Sequence, residues 1–261
     1  MILDPLQYVL GALSGSLVGL TLGLFGGGGS ILAVPLMVYL VGVPNAHMAI
    51  GTSAFAVAAN AGSNLVSHAR LGNVKWRCAA LYSVAGIVGA FLGSTLGKAI
   101  DGQKLLFLFA LLMIVVGILM FRGRGREGDP GAECNRQNAP KVLGFGGVTG
   151  AFSGFFGIGG GFLIVPGLVA STGMPILNAI GSSLVAVAAF GLTTAFNYAF
   201  SGLVDWPLAF IFVAGGIAGG MLGAFLAKFL AGKKGALNTA FAGLIFVVAI
   251  YMLYKSAAAF V

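Results

Sequence analysis

The sequence predicts an all-α polytopic membrane protein: two inverted-topology repeats with broken or re-entrant helices, about 8–10 transmembrane segments in all. Three observations predict it. First, 59% of the 261 residues are hydrophobic and only 8% are charged. Apolar runs of roughly 20 residues recur from end to end, the length an α-helix needs to cross a bilayer. Second, the chain is written twice in one register. Third, each copy carries a glycine-rich break inside an apolar segment, Gly26-Gly27-Gly28-Gly29-Ser30 before Pro35 and Gly157-Ile158-Gly159-Gly160-Gly161 before Pro166. Hydrocarbon offers no water to bare N–H and C=O groups, so irregular backbone at that depth must line a cavity or be buried in protein.

Taken in order, residues 6–25 form the first span. No basic stretch precedes them and no small-residue cleavage site follows, so they read as a crossing helix and not as a signal peptide. Residues 31–43 are too short to cross alone and carry Pro35, which makes them a half-helix or one lengthened by the glycines. Residues 45–69, 76–96 and 105–121 are further helices. Residues 122–141, rich in Gly, Arg, Asn and Pro, form a linker. Residues 142–156, 162–172, 176–200, 206–227 and 237–254 then repeat the pattern. The domain organisation is therefore a first repeat over 1–121, a basic linker over 122–141 and a second repeat over 142–261.

The register supports this in detail. Gly26 and Gly157, Pro35 and Pro166, and Pro44 and Pro175 are each 131 residues apart. After a one-residue slip, Gly51 and Gly181, Ser53 and Ser183, Gly72 and Gly202, Trp76 and Trp206, and Lys98 and Lys228 are each 130 apart. Such a match over a whole unit is a duplication.

Charge sets the orientation. The net charge of +8 reflects Lys and Arg held in cytoplasmic loops, not a nucleic-acid partner. With the linker cytoplasmic, Arg70, Lys75, Arg77, Lys228, Lys233 and Lys234 share its side. That side then holds eleven basic residues against three, Lys98, Lys104 and Lys255. The Arg70–Arg77 turn is inside, but its copy at Ser201–Asp205 has no basic residue and falls outside. Equivalent loops on opposite faces mean inverted repeats, with both termini outside.

Inverted repeats with interrupted helices are the pattern of secondary transporters, whose substrate lies near the midplane where the repeats meet. Glycines leave backbone N–H groups open to a ligand, and each break opens a half-helix whose N-terminal end carries partial positive charge. The expected substrate is a small anion. It would be held by Gly26, Gly27, Gly28, Gly29, Ser30, Gly157, Gly159, Gly160 and Gly161. Each third helix adds a polar stripe, Ser53, Asn60, Asn64 and Ser67 in one copy and Ser183, Thr194 and Asn197 in the other, flanked by Thr52 and Ser182. Of these, Thr52, Ser53, Asn64, Ser182, Ser183 and Thr194 are the candidate lining residues. Gly86, Gly89, Gly93 and Gly97, with Gly215, Gly216, Gly219, Gly220 and Gly223, have the spacing of close helix packing instead.

The ionisable residues exclude several functions. Asp4, Asp101 and Asp205 map to outer helix ends, and Glu127, Asp129 and Glu133 to the linker. No carboxylate lies mid-span, so the usual proton or sodium relay is missing. His47 and His68 read as interfacial anchors. No nucleophile faces a base within the membrane, so no enzyme is expected. Cys78 and Cys134 lack CxxC spacing and a His cluster, so neither a metal site nor a disulfide is expected. No cofactor is implied, and the lipid bilayer is the surroundings of a monomer or homodimer.

The two Gly-rich motifs ending in Val-Pro, each followed by Ile-Gly-Thr-Ser (50–53) or Ile-Gly-Ser-Ser (180–183), resemble the sulfite exporter TauE/SafE family. The match covers nearly the whole chain apart from the linker. The resemblance implies a multi-pass inner-membrane permease for sulfite or organosulfonates such as sulfoacetate. Its signature falls on Gly26 to Ser30, Pro35, Thr52, Ser53, Gly157 to Gly161, Pro166, Ser182 and Ser183. The alternatives are a permease for a different small anionic metabolite and a membrane scaffold without transport.

Overall fold

The computed structural model describes residues 4–122, 128–129, 131–158, 161–231 and 236–257. Every regular element among them is helical. The first repeat holds α1 (Pro5–Phe25), a 3-10 stretch (Gly26–Leu32), a short α2 (Ala33–Pro35) opening into a π-helical turn (Leu36–Leu40), α3 (Ala46–Arg70), α4 (Trp76–Lys98) and α5 (Gly102–Arg122). The second holds α6 (Ala139–Phe156), α7 (Gly161–Thr172), α8 (Ile176–Ala199), α9 (Trp206–Ala231) and α10 (Ala236–Ala257). Five of these helices are long and apolar enough to cross a bilayer by themselves.

The broken arm of the first repeat makes a full return. Gln7, near the start of α1, donates through Nε2 to Val41 O at 3.0 Å, so the arm ends on the face from which α1 set out. The second arm returns likewise, since Gly173, just past α7, accepts from the linker amide of Asp129 at 2.8 Å.

The repeats interlock. A Cβ placed at Gly15, Gly19 or Gly23 of α1 would fall on the carbonyl of Phe212, Gly216 or Gly220 of α9, and Gly215, Gly219 and Gly223 press back on Ala12, Ser16 and Leu20. The same seam joins α6 to α4, with Gly146, Gly150 and Gly154 on Tyr82, Gly86 and Ala90. Numbers rise together along both seams, so the paired helices are parallel, and each seam joins the first helix of one repeat to the fourth of the other. In lipid, tight backbone packing of small residues replaces the hydrophobic drive that water provides elsewhere. The equivalent helices α3 and α8 cross antiparallel in the centre, with Gly51 near Tyr198 and Gly191 near Ala54 and Ala58. Equivalent helices running in opposite directions are the geometry of inversion.

The backbone repeats the symmetry. Among the described residues, the positive-φ positions are all glycine and fall into three equivalent pairs: Gly26 and Gly157, Gly42 and Gly173, Gly72 and Gly202.

The expected absence of a disulfide is overturned. Cys78 and Cys134 form a disulfide, with their Cα atoms 5.2 Å apart. Spacing of 56 residues gave no hint, because the linker folds back to put Cys134 on the first turn of α4. Both cysteines and Ala132 are buried.

Candidate functional site

Each break starts at a left-handed residue, Gly26 (φ 62°) and Gly157 (φ 66°), where an L side chain would be strained. Each is also pressed under the central helix of the opposite repeat, Gly26 under Ile180 and Gly157 under Ile50. After Gly26 the chain rewinds as a 3-10 stretch containing Gly28, and Gly29 lies directly on the backbone of Thr21 and Leu22. The Thr21 hydroxyl lies 3.0 Å from Leu17 O and Val18 O and 3.1 Å from Gly29 O, bracing the break against α1.

The two breaks meet. A Cβ on Gly27 would stand 2.7 Å from Gly161 Cα and 2.6 Å from Val187, midway along α8, and one on Gly161 would fall on Gly27 O. Gly161 N donates to Ser30 Oγ at 3.2 Å. Ser30 and Gly161 are equivalent positions 131 residues apart, so this bond lies close to the pseudo-twofold axis. Gly27 N donates to Ser183 Oγ at 2.9 Å. The two hydroxyls pass their own protons on, Ser30 to Gly27 O at 2.9 Å and Ser183 to Ile180 O at 2.7 Å.

The crossing is therefore closed in this conformation. Gly27 and Gly161 touch backbone to backbone and leave no room for an ion between them. Their amides, expected to stand bare, are each capped by a serine hydroxyl, because a buried N–H without a partner costs about 1–3 kcal/mol. Gly159 and Gly160 lie outside the described residues.

The remaining candidates divide into two groups. Ser53, the counterpart of Ser183, donates to Ile50 O at 3.0 Å. Thr52 and Ser182 each reach a different loop between helices, where Thr52 Oγ1 accepts from Asp205 N at 2.9 Å and Ser182 Oγ from Lys75 N at 2.8 Å. They hold the starts of α9 and α4, a capping arrangement between repeats. Asn64 donates to Asn60 O at 2.9 Å and is wedged beside Gly23 and Gly220. Its counterpart Thr194 is buried with its hydroxyl unpaired.

Three features had no clear signal in the sequence. Asn60 is fully buried against Gly216, with neither amide atom paired. His68 is fully buried, not an interfacial anchor, and its Nε2–H donates to Gly23 O at 3.0 Å, at the end of α1. Lys98 donates to Asn197 O, Asn197 Oδ1 and Ser201 Oγ at 2.8–3.0 Å, closing the opposite end of α8. The 130-residue register makes Tyr198 the counterpart of His68 and Phe190 that of Asn60.

A family model, Sulfite exporter TauE/SafE, matches residues 11–252. The chain belongs to this family. It is similar to a "Probable membrane transporter protein" of Xylella fastidiosa, 54% identical over 256 residues that cover 95% of each chain. A protein of the same name in Haemophilus influenzae is 29% identical over 93% of this chain and 97% of its own. Another from Methanocaldococcus jannaschii is 30% identical over 70% of this chain and 68% of its own. No solved structure matches the chain. Family, relatives and apolar helices agree on a multi-pass membrane transporter.

Proposed function

We propose that this transporter exports a small sulfur oxyanion, sulfite or an organosulfonate such as sulfoacetate, across the cell inner membrane through the crossing of its two glycine breaks. The observation that carries the reading is the position of that crossing. It lies near the pseudo-twofold axis beside the middle of α8, where inverted-repeat transporters hold their cargo. Two backbone amides there point at hydroxyl oxygens, acceptors that an oxyanion can replace. When the repeats shift and the breaks part, the amides of Gly27 and Gly161 turn from Ser183 and Ser30 to the anion. The hydroxyls then become two further donors, so the cargo exchanges its hydration shell for groups that were already paired. The closed crossing is the barrier state of such a cycle.

Direction follows from charge. An interior about 100 mV negative favours exit by about 2.3 kcal/mol per negative charge, and about twice that for a dianion. Export therefore needs no carboxylate relay. The linker and its basic loops face the cytoplasm and both termini face outward on this reading.

Labelled sulfite uptake into inside-out vesicles tests it. The expected result is uptake competed by unlabelled sulfite and sulfoacetate and not by small carboxylates. Equal competition by carboxylates would point to a different anionic metabolite, and no sulfite flux would overturn the substrate.

A further inference from the structure

We propose that Cys78 and Cys134 form a reversible thiol–disulfide site on the cytoplasmic face, a strap whose closure holds the inner end of α7. The inference rests on the orientation proposed above and on three observations. The first is a conflict between the bond and its location. The disulfide joins α4 to the linker on the face of Arg70, Lys75 and Arg77, which the positive-inside rule, read from the loop charges of the sequence, assigns to the cytoplasm. Thiols there are kept reduced, and disulfides that do form are as a rule transient or sensing.

The second is the setting of Cys78. It is the third residue of α4, at a helix N-terminus, with Lys75 and Arg77 flanking that turn. Helix starts beside Lys and Arg favour the reactive thiolate, and the two sulfurs, buried while the linker is docked, become reachable by a reagent when it undocks from α4. Its partner is held within 5.2 Å, Cα to Cα, inside the range a disulfide needs without backbone movement.

The third is what the bond ties down. Gly128 packs on the backbone of Met174 and Pro175, and Asp129 N donates to Gly173 O, the residue after α7. Asn178 of α8 donates to Asn73 O, and Lys75 N to Ser182. The linker therefore lies over the corner between α7 and α8, and the disulfide fixes it to the first turn of α4. Since α7 begins at Gly161, in the crossing itself, a restraint on its far end opposes parting of the breaks.

The chemistry balances with a small-molecule disulfide such as oxidised glutathione. Cys78 thiolate attacks one sulfur of the reagent, releasing one thiol. Cys134 thiolate then attacks the mixed disulfide, closing the bond and releasing the second. Two electrons pass from the protein thiols to the reagent, and a dithiol reverses both steps.

The test uses the full chain in inside-out vesicles, read in three ways. Cells quenched in acid and denatured with a polymer-linked maleimide should show two adducts. After oxidised glutathione those adducts should be lost, and dithiothreitol should restore them. Tryptic cutting within 122–141 should slow on oxidation in the wild type but not in Cys134→Ser. Sulfite flux should fall on oxidation, recover on reduction, and stay constant in Cys134→Ser. A bond already present in untreated cells, or adducts that persist after oxidant, would overturn the reversible site. Oxidation without any change in cleavage would overturn the strap. Absence of flux in every state would instead sink the substrate reading, leaving labelling and cleavage to decide this one.

Discussion

The same residue serves two regions of this molecule in different ways. Along the α1–α9 and α4–α6 seams, glycine brings helices into backbone contact while every turn around it remains regular helix. At the crossing of Gly27 and Gly161, glycine also brings backbones together, but the helix is interrupted and two amides depend on serine hydroxyls. The seams have nothing to exchange. On the proposed function the crossing has partners that a ligand can take over, and it lies close to the axis that relates the repeats. Rigid seams around an exchangeable centre are what a transporter of this pattern requires, and substitutions should separate the two regions.

The largest effect is expected in the seams. Gly150→Leu puts a branched side chain into the Gly86 backbone, and overpacking of this kind costs about 1–3 kcal/mol or more. Loss of the folded peak in detergent chromatography is the expected outcome. Gly144, on the same helix, has open space at its Cβ, and Gly144→Ala should leave the fold intact or stabilise it by about 0.5–1 kcal/mol, read from the melting temperature. Equal behaviour of the two variants would break the distinction between seam and surface.

Next comes the polar stripe. Phe190 fills the slot over Gly86 in one repeat, and Asn60, its side-chain amide unpaired, fills the equivalent slot over Gly216 in the other. Asn60→Phe copies a packing that the fold already contains, so the melting temperature should hold or rise. Phe190→Asn should destabilise by about 2–4 kcal/mol, from lost volume and an unpaired buried amide. Symmetric responses would mean that the two halves are not packed alike.

Smaller still is the expected effect at the caps. Ser182→Ala leaves Lys75 N without its acceptor and should cost about 1 kcal/mol in unfolding free energy. Labelled sulfite flux should be nearly unchanged, since the Ser182 hydroxyl holds Lys75 N and not the Gly27 amide, which is held by Ser183. A large loss of flux at normal stability would move Ser182 from cap to site.

Much of the fold was legible because a duplication tests itself. Glycine, proline and tryptophan recurred at constant spacing, and helix ends followed within a few residues, as at Ala139 where residue 142 was expected. Inversion was legible because loop charge differs between equivalent turns. The seams were only half legible. A glycine every fourth residue marks a packing face but names no partner, and the partners come from the other repeat. At the crossing, the sequence singled out the glycines and serines but not their pairing. Ser30 and Ser183 bond to backbone 131 and 156 residues away, a relation that only the crossing creates. Thr52 and Ser182 looked like lining residues because they adjoin Ser53 and Ser183, but helical rotation turns them towards the neighbouring helix starts. Cys134 sat in a stretch whose composition said nothing about where it docks.

The central claim is that Ser30 and Ser183 release the Gly161 and Gly27 amides to the anion. The double variant Ser30→Ala/Ser183→Ala, assayed for labelled sulfite flux in inside-out vesicles beside its melting temperature, tests this most directly. The predicted result is flux lost from a protein that still folds. Wild-type flux through the double variant would contradict it.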